Sequence, residues 1–119
     1  MMQARPQQAS PAVIDGIFRA LSDPTRRSVL ERLSAQPLSV SELAASHRMA
    51  LPSFVEHLKV LEESGLVRSK KVGRVRTFEL APEQVRVAED WLGRQRSIWE
   101  RRLDRLDSYL LSLKKGKSP

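Results

Sequence analysis

The sequence predicts a mainly α protein with one small β-hairpin, in the order α-α-α-α-β-β-α. Three observations carry that reading. Apolar residues recur at helical spacing in five stretches, several of them opened by recognisable capping residues. Between the fourth and fifth stretches, residues 67–72 and 74–80 read as two short strands around Gly73. From Pro82 to Gly116 no further proline interrupts the chain, which predicts one long final helix.

The elements follow in order. Ser10-Pro11 supplies a hydroxyl cap and a proline suited to the first helical turn. Val13, Ile14, Ile17, Phe18 and Leu21 then share one face. Asp23-Pro24 restarts the chain in the same way, Val29, Leu30 and Leu33 make the next apolar stripe, and Pro37 closes that helix off. Ser39 and Glu42 have the spacing of a capping box, with Leu38 and Leu43 placed as a hydrophobic staple, so a short third helix should start near Val40. Pro52 begins a fourth helix with apolar positions at Phe54 or Val55, Leu58 and Leu61. Gly65 should end it in a left-handed conformation, with Leu66 packing back on Leu61. Two such helices joined by a tight turn read as a helix-turn-helix. In the second strand Phe78 and Leu80 share one face and Val75, Thr77 and Glu79 the other.

The chain has 119 residues, a formal net charge of +7 and no cysteine. That length allows one compact domain. The charge favours a polyanionic partner, nucleic acid before anionic membrane. Without cysteine there can be no disulfide, thiolate metal site or thiol switch. The start MMQARPQQASP has no apolar core of a signal peptide, and no apolar run is long enough for a bilayer span. A cytoplasmic protein without a membrane partner is therefore expected, and its charge would associate it with nucleic acid, the nucleoid in a bacterium. Residues 1–10 read as a flexible tail, 11–80 as the DNA-binding domain and 81–115 as a dimerisation helix, with a frayed KKGKSP end.

Two segments carry the candidate chemistry. The fourth helix presents Ser53, Glu56, His57 and Lys59 near its N-terminal half, where they can reach base edges or phosphates in a major groove. Glu62 and Glu63 lie further along and should face away from DNA. The hairpin then holds Arg68, Lys70, Lys71, Arg74 and Arg76, with no acid in that stretch. Such a ribbon can clamp phosphates and reach a minor groove with its tip. It can also be an edge hairpin charged against edge-to-edge pairing. His47 and His57 are the only histidines, ten positions apart, a poor metal set without cysteines or clustered carboxylates. No nucleophile triad, phosphate-binding glycine loop or cofactor motif is found, so neither an enzyme nor a cofactor is expected.

The last helix has its own pattern. Trp99, Leu103, Leu106, Leu110 and Leu113 follow a heptad seam that reaches back to Leu92 and is interrupted by Arg96. So small a domain cannot cover that stripe alone, and a second copy is the economical partner. Packing on the first helix accounts for Trp91 and Leu92. Asp104 and Asp107 alternate with Arg101, Arg102 and Arg105 as an exposed ion-pair face.

Together LSDPTRRSVLERL, LSVSELA, HLKVLEESGLV and GRVRTFEL, spread over residues 17–80, resemble the ArsR-type winged helix-turn-helix repressors of bacteria. The resemblance implies a homodimer held by the first and last helices, here through Ile14, Ile17, Phe18, Leu92, Trp99, Leu103, Leu106, Leu110 and Leu113. It also implies a fourth helix reading the major groove of an inverted-repeat operator and a hairpin acting as the wing. The chain departs from the family pattern in two places. Met49-Ala50-Leu51-Pro52-Ser53-Phe54-Val55-Glu56 is apolar where many members are serine-rich. That suggests reading of thymine methyls by Leu51 or Phe54, with Glu56 accepting from a cytosine amine. The ligand sets of metal-sensing members are also missing: Ser41 to Ser46 holds no thiol and the last helix no histidine, so the chain looks like a metal-free branch. A competing reading is a winged-helix protein-interaction adaptor without a specific DNA target, for which a purely cationic wing has no use. A small-molecule effector between the first and last helices is compatible with the sequence, although no polar constellation singles out a pocket.

Overall fold

The computed structural model describes residues 9–116. The expected frayed ends fall mostly outside that range. Seven of the predicted elements are present: α1 Pro11–Leu21, α2 Pro24–Leu33, α3 Val40–Ala44, α4 Leu51–Glu63, β2 Val67–Val72, β3 Val75–Leu80 and α5 Pro82–Gly116. One was not anticipated, the strand β1 at Leu38–Ser39.

The helix starts form where local chemistry places them. The Ser10 hydroxyl accepts the Val13 N–H at 3.3 Å, and the Asp23 carboxylate accepts the Arg26 N–H at 3.1 Å. Both bonds of the capping box close: Ser39 Oγ accepts the Glu42 N–H at 3.2 Å, and Glu42 Oε1 accepts the Ser39 N–H at 2.8 Å. These bonds hold the Glu42 carboxyl below its usual range, the backbone donor of Ser39 most strongly. α4 is the exception: its cap residue is Ala50, with no side-chain bond.

At the other end of α4, Gly65 turns with φ +82°, the left-handed region a Cβ disfavours. A Cβ there would also stand 3.0 Å from the Gln84 amide nitrogen. Gln84 in turn donates to the Ser64 carbonyl at 3.1 Å, which ties the start of α5 to the end of α4.

The sheet is antiparallel in the order β1-β3-β2. Leu38 pairs with Phe78 and Ser39 with Thr77, so the residue that caps α3 also extends the wing sheet. The core gathers Ile17, Ala20, Val29, Leu33, Leu43, Phe54, Leu58, Leu61, Leu66, Val67 and Phe78. Only the base of the hairpin is buried; from Lys70 to Val75 it is exposed throughout.

The chain divides into two compact units between Ala88 and Glu89. The expected boundary at residue 81 is thus moved. Ala88 is part of the core and Val85 packs against it, so the first two turns of α5 belong to the winged unit. In the second unit, Leu92, Trp99, Leu103, Leu106, Leu110 and Leu113 are each 44–58 % exposed. Tyr109 and Leu111 are exposed as well.

Ile17 requires a correction. It was expected at a dimer interface, but it is fully buried in the core of its own chain, and Ile14 is nearly so. Neither can be a principal contact for a second copy. Phe18 is half-buried and Val13 exposed on the same helix.

Candidate nucleic-acid interface

α4 sorts its side chains sharply. Phe54, Leu58 and Leu61 are buried, whereas Leu51, Ser53, Val55, Glu56 and Lys59 are exposed. This resolves the choice between Phe54 and Val55 in favour of Phe54 as the core residue. It also corrects the expectation that Phe54 could touch a thymine methyl. At 1 % exposure its ring lies inside the domain, with the His47 ring centroid 5.0 Å away. Val55, not anticipated as a contact, is on the outer face instead. The signal was present in the sequence: Phe54, Leu58 and Leu61 complete an i, i+4, i+7 stripe that Val55 does not join.

His57 is turned inward toward the junction of α1 and α2. Arg26 Nη1 lies 3.0 Å from His57 Nδ1 and Asp23 Oδ2 lies 3.7 Å from it. A guanidinium has only donors, so this bond needs Nδ1 as acceptor; when Nδ1 carries a proton the ring instead faces the Asp23 carboxylate. The same guanidinium donates to the Ala20 carbonyl at 2.8 Å and the Arg19 carbonyl at 3.0 Å. One side chain thereby joins the end of α1, the start of α2 and the middle of α4. Partial burial pushes the Asp23 carboxyl up. The Arg26 N–H, His57 and the Arg26 charge outweigh it and leave the group below its usual range.

Arg32 makes a comparable contact around the turn. Its Nη1 donates to the carbonyls of Glu42 and Leu43 at 3.0 and 3.2 Å and to Ser46 Oγ at 2.7 Å. Carbonyls left open at the end of α3 are thus satisfied by a cation, where the helix dipole favours one. The contact ties α2 to the end of α3 and to Ser46 in the turn that follows it.

The hairpin turns through Gly73-Arg74, with Val72 opposite Val75. Gly73 has φ +63°, as a two-residue turn with glycine in first place requires. The five cations are not equivalent. Arg68 is opposite Glu79 in the ladder and donates to it at 3.0 Å, and also to Glu83 of α5 at 3.1 Å. Glu79 chiefly, with Glu83, raises the Arg68 pKa further. This corrects the expectation for Arg68, whose charge is neutralised within the fold. Arg76 donates to Ser69 Oγ at 2.7 Å, and Ser69 donates to Glu62 Oε2 at 2.6 Å, linking the wing to α4. Lys70, Lys71 and Arg74 have no ion-pair partner among the described residues.

Among the described residues, no three His, Cys, Asp or Glu side chains gather where they could hold a metal ion. No helix among them is long and apolar enough to cross a membrane. A shallow recess of about 210 Å³ is lined by Val13 and Gly16 of α1, Glu63 and Ser64 at the end of α4, and Gln84.

Comparison with known proteins places this arrangement. A model described as a helix-turn-helix domain matches residues 21–70. The crystal structure of an ArsR family transcriptional regulator, RHA00566, is 50 % identical. It superposes with a TM-score of 0.74 over 79 % of this chain and 97 % of that one. The chain belongs to the ArsR family. An ArsR-like transcriptional regulator from Rhodococcus sp. RHA1 is 32 % identical, with a TM-score of 0.71 over 82 % of this chain and 92 % of that one. The HTH-type transcriptional regulator Rv2034 of Mycobacterium tuberculosis is 41 % identical over 57 % of this chain; the match spans 64 % of that relative's length. In this ArsR-family chain, α3 and α4 are the helix-turn-helix and the β2–β3 hairpin is the wing.

Proposed function

We propose that this ArsR-family chain is a sequence-specific DNA-binding repressor. On this reading it acts as a homodimer on an inverted-repeat operator in the cytoplasm. The observation that carries the reading is the wing tip, where Lys70, Lys71 and Arg74 stand exposed and unpaired immediately after a helix-turn-helix. Unpaired cations on a thin ribbon suit phosphates, which they can reach without breaking an internal ion pair. The exposed outer face of α4 would enter the major groove beside them.

The homodimer is supported by the second unit. Its seam from Leu92 to Leu113 is exposed along its length and has the heptad spacing of helices that pair. Two copies joined through the α5 seam would set their two α4 helices about one DNA turn apart, roughly 34–36 Å. Nuclease footprinting on the promoter of the gene's own operon tests both parts. Two protected half-sites with that spacing are expected. Protection that shows no sequence preference would refute the operator.

A further inference from the structure

The outer face of α4 begins with Leu51 at 56 % and Val55 at 42 % exposure. The two are four residues apart, on one face and one turn from each other. Lys59 continues the same stripe, and it is exposed too. Neither belongs to the core of the fold. Phe54, Leu58 and Leu61 supply the core contacts of the helix, and the cap at Ala50 involves no side chain. Exposed apolar groups are ordinary when single; a pair at the entry end of a reading helix calls for an occupant.

The surrounding charge favours DNA over an apolar protein surface. Lys59 continues the stripe, the exposed wing tip holds Lys70, Lys71 and Arg74, and the chain as a whole carries +7. The edges of bases in a major groove offer donors and acceptors, which Leu51 and Val55 cannot use. The exception is the C5-methyl group of thymine, the apolar group that groove displays.

We propose that Leu51 and Val55 read thymine methyl groups, so that each half-site carries thymines where the first turns of α4 enter the groove. This rests on α4 being the major-groove helix. A 5-methylcytosine would present the same group, so the operator is first selected from a synthetic library, whose cytosines carry no methyl. Each half-site thymine is then replaced by deoxyuridine, which keeps base pairing and removes only the methyl.

The parent protein should lose about fourfold in affinity per contacted methyl, the equivalent of ~0.8 kcal/mol for one buried carbon group. Leu51→Gln and Val55→Ser lie at exposed positions and leave the core intact. Each variant should become indifferent to the deoxyuridine that the parent detects, while keeping its salt dependence and non-specific binding. A selected operator that tolerates deoxyuridine everywhere would overturn the thymine assignment and leave DNA binding standing. Failure to select any sequence would overturn the operator reading as well. A change in oligomeric state of Val55→Ser without DNA would show that the pair covers protein, and would overturn the proposal by that route.

Discussion

Replacing Phe54 by alanine separates core from contact more cleanly than any other change in α4. Phe54 is 1 % exposed and packs among Leu43, Leu58, Leu61 and the rest of the core, with the His47 ring beside it. A phenylalanine buries roughly 150–250 Å², which at about 25 cal/mol per Å² is about 4–6 kcal/mol. Real unfolded chains already bury part of that area, so about 3–5 kcal/mol is the expected loss, in line with the ~3–5 kcal/mol typical of Phe→Ala in cores. That is a large share of the stability of a small domain. Urea unfolding followed by circular dichroism checks it, with both proteins at one concentration because self-association would shift the midpoint. Phe54→Leu should cost clearly less. A Phe54→Ala protein as stable as its parent would refute the core placement, and loss of operator discrimination at unchanged stability would restore Phe54 as a reading residue.

Three further outcomes are expected. Leu106→Asp puts a charge into the exposed apolar seam of α5, and sedimentation should show monomers where the parent is dimeric; an unchanged dimer would rule the seam out as the interface. Alanine at Lys70, Lys71 or Arg74 should each flatten the salt dependence of DNA binding by about one unit, whereas Arg68→Ala should barely change it, because Glu79 and Glu83 already neutralise that charge. Asp23 has a folded-state pKa below its usual value, so its contribution is present at neutral pH and is lost as pH falls through that depressed value. Asp23→Asn keeps a cap but removes the ionisation, so its unfolding free energy should depend less on pH in the acid range, a difference that acid titration of the two proteins would measure.

Local chemistry explains what could be read in advance. The starts of α1, α2 and α3 are each decided within four residues, by Ser10, Asp23 and the Ser39–Glu42 box, and the structure has all three. Gly65 likewise announces the end of α4 by itself. What was missed depends on partners distant in the chain. β1 is two residues long and exists as a strand only because Phe78 and Thr77 lie opposite it. The Arg26–His57 contact joins positions 31 residues apart and has no trace in local pattern. Arg68 is an intermediate case. The two-residue turn at Gly73-Arg74 fixes the register, and counting back along both strands puts Arg68 against Glu79, so its neutralisation could have been deduced. On α4, helix spacing already separated the core stripe Phe54, Leu58 and Leu61 from the outer face, and the burial of Phe54 with the exposure of Val55 follows that stripe.

The uneven burial of the hairpin bears on how such regulators diverge. Val67 and Phe78 anchor its base in the core, while the side chains of residues 70–75 are exposed and none belongs to the core. Substitutions at exposed side chains there should shift stability by only about 0.5 kcal/mol, provided Gly73 can keep its turn. If the tip contacts phosphates as proposed, mutation can add or remove cations there one at a time, moving affinity for the DNA backbone in small steps at little cost to the fold. The same freedom is denied to Arg68, Ser69 and Arg76, whose contacts reach α5, α4 and the neighbouring strand. On the proposed function, grip strength and architecture are under separate genetic control within a single ribbon, residues 67–80, with the dividing line one residue past Ser69.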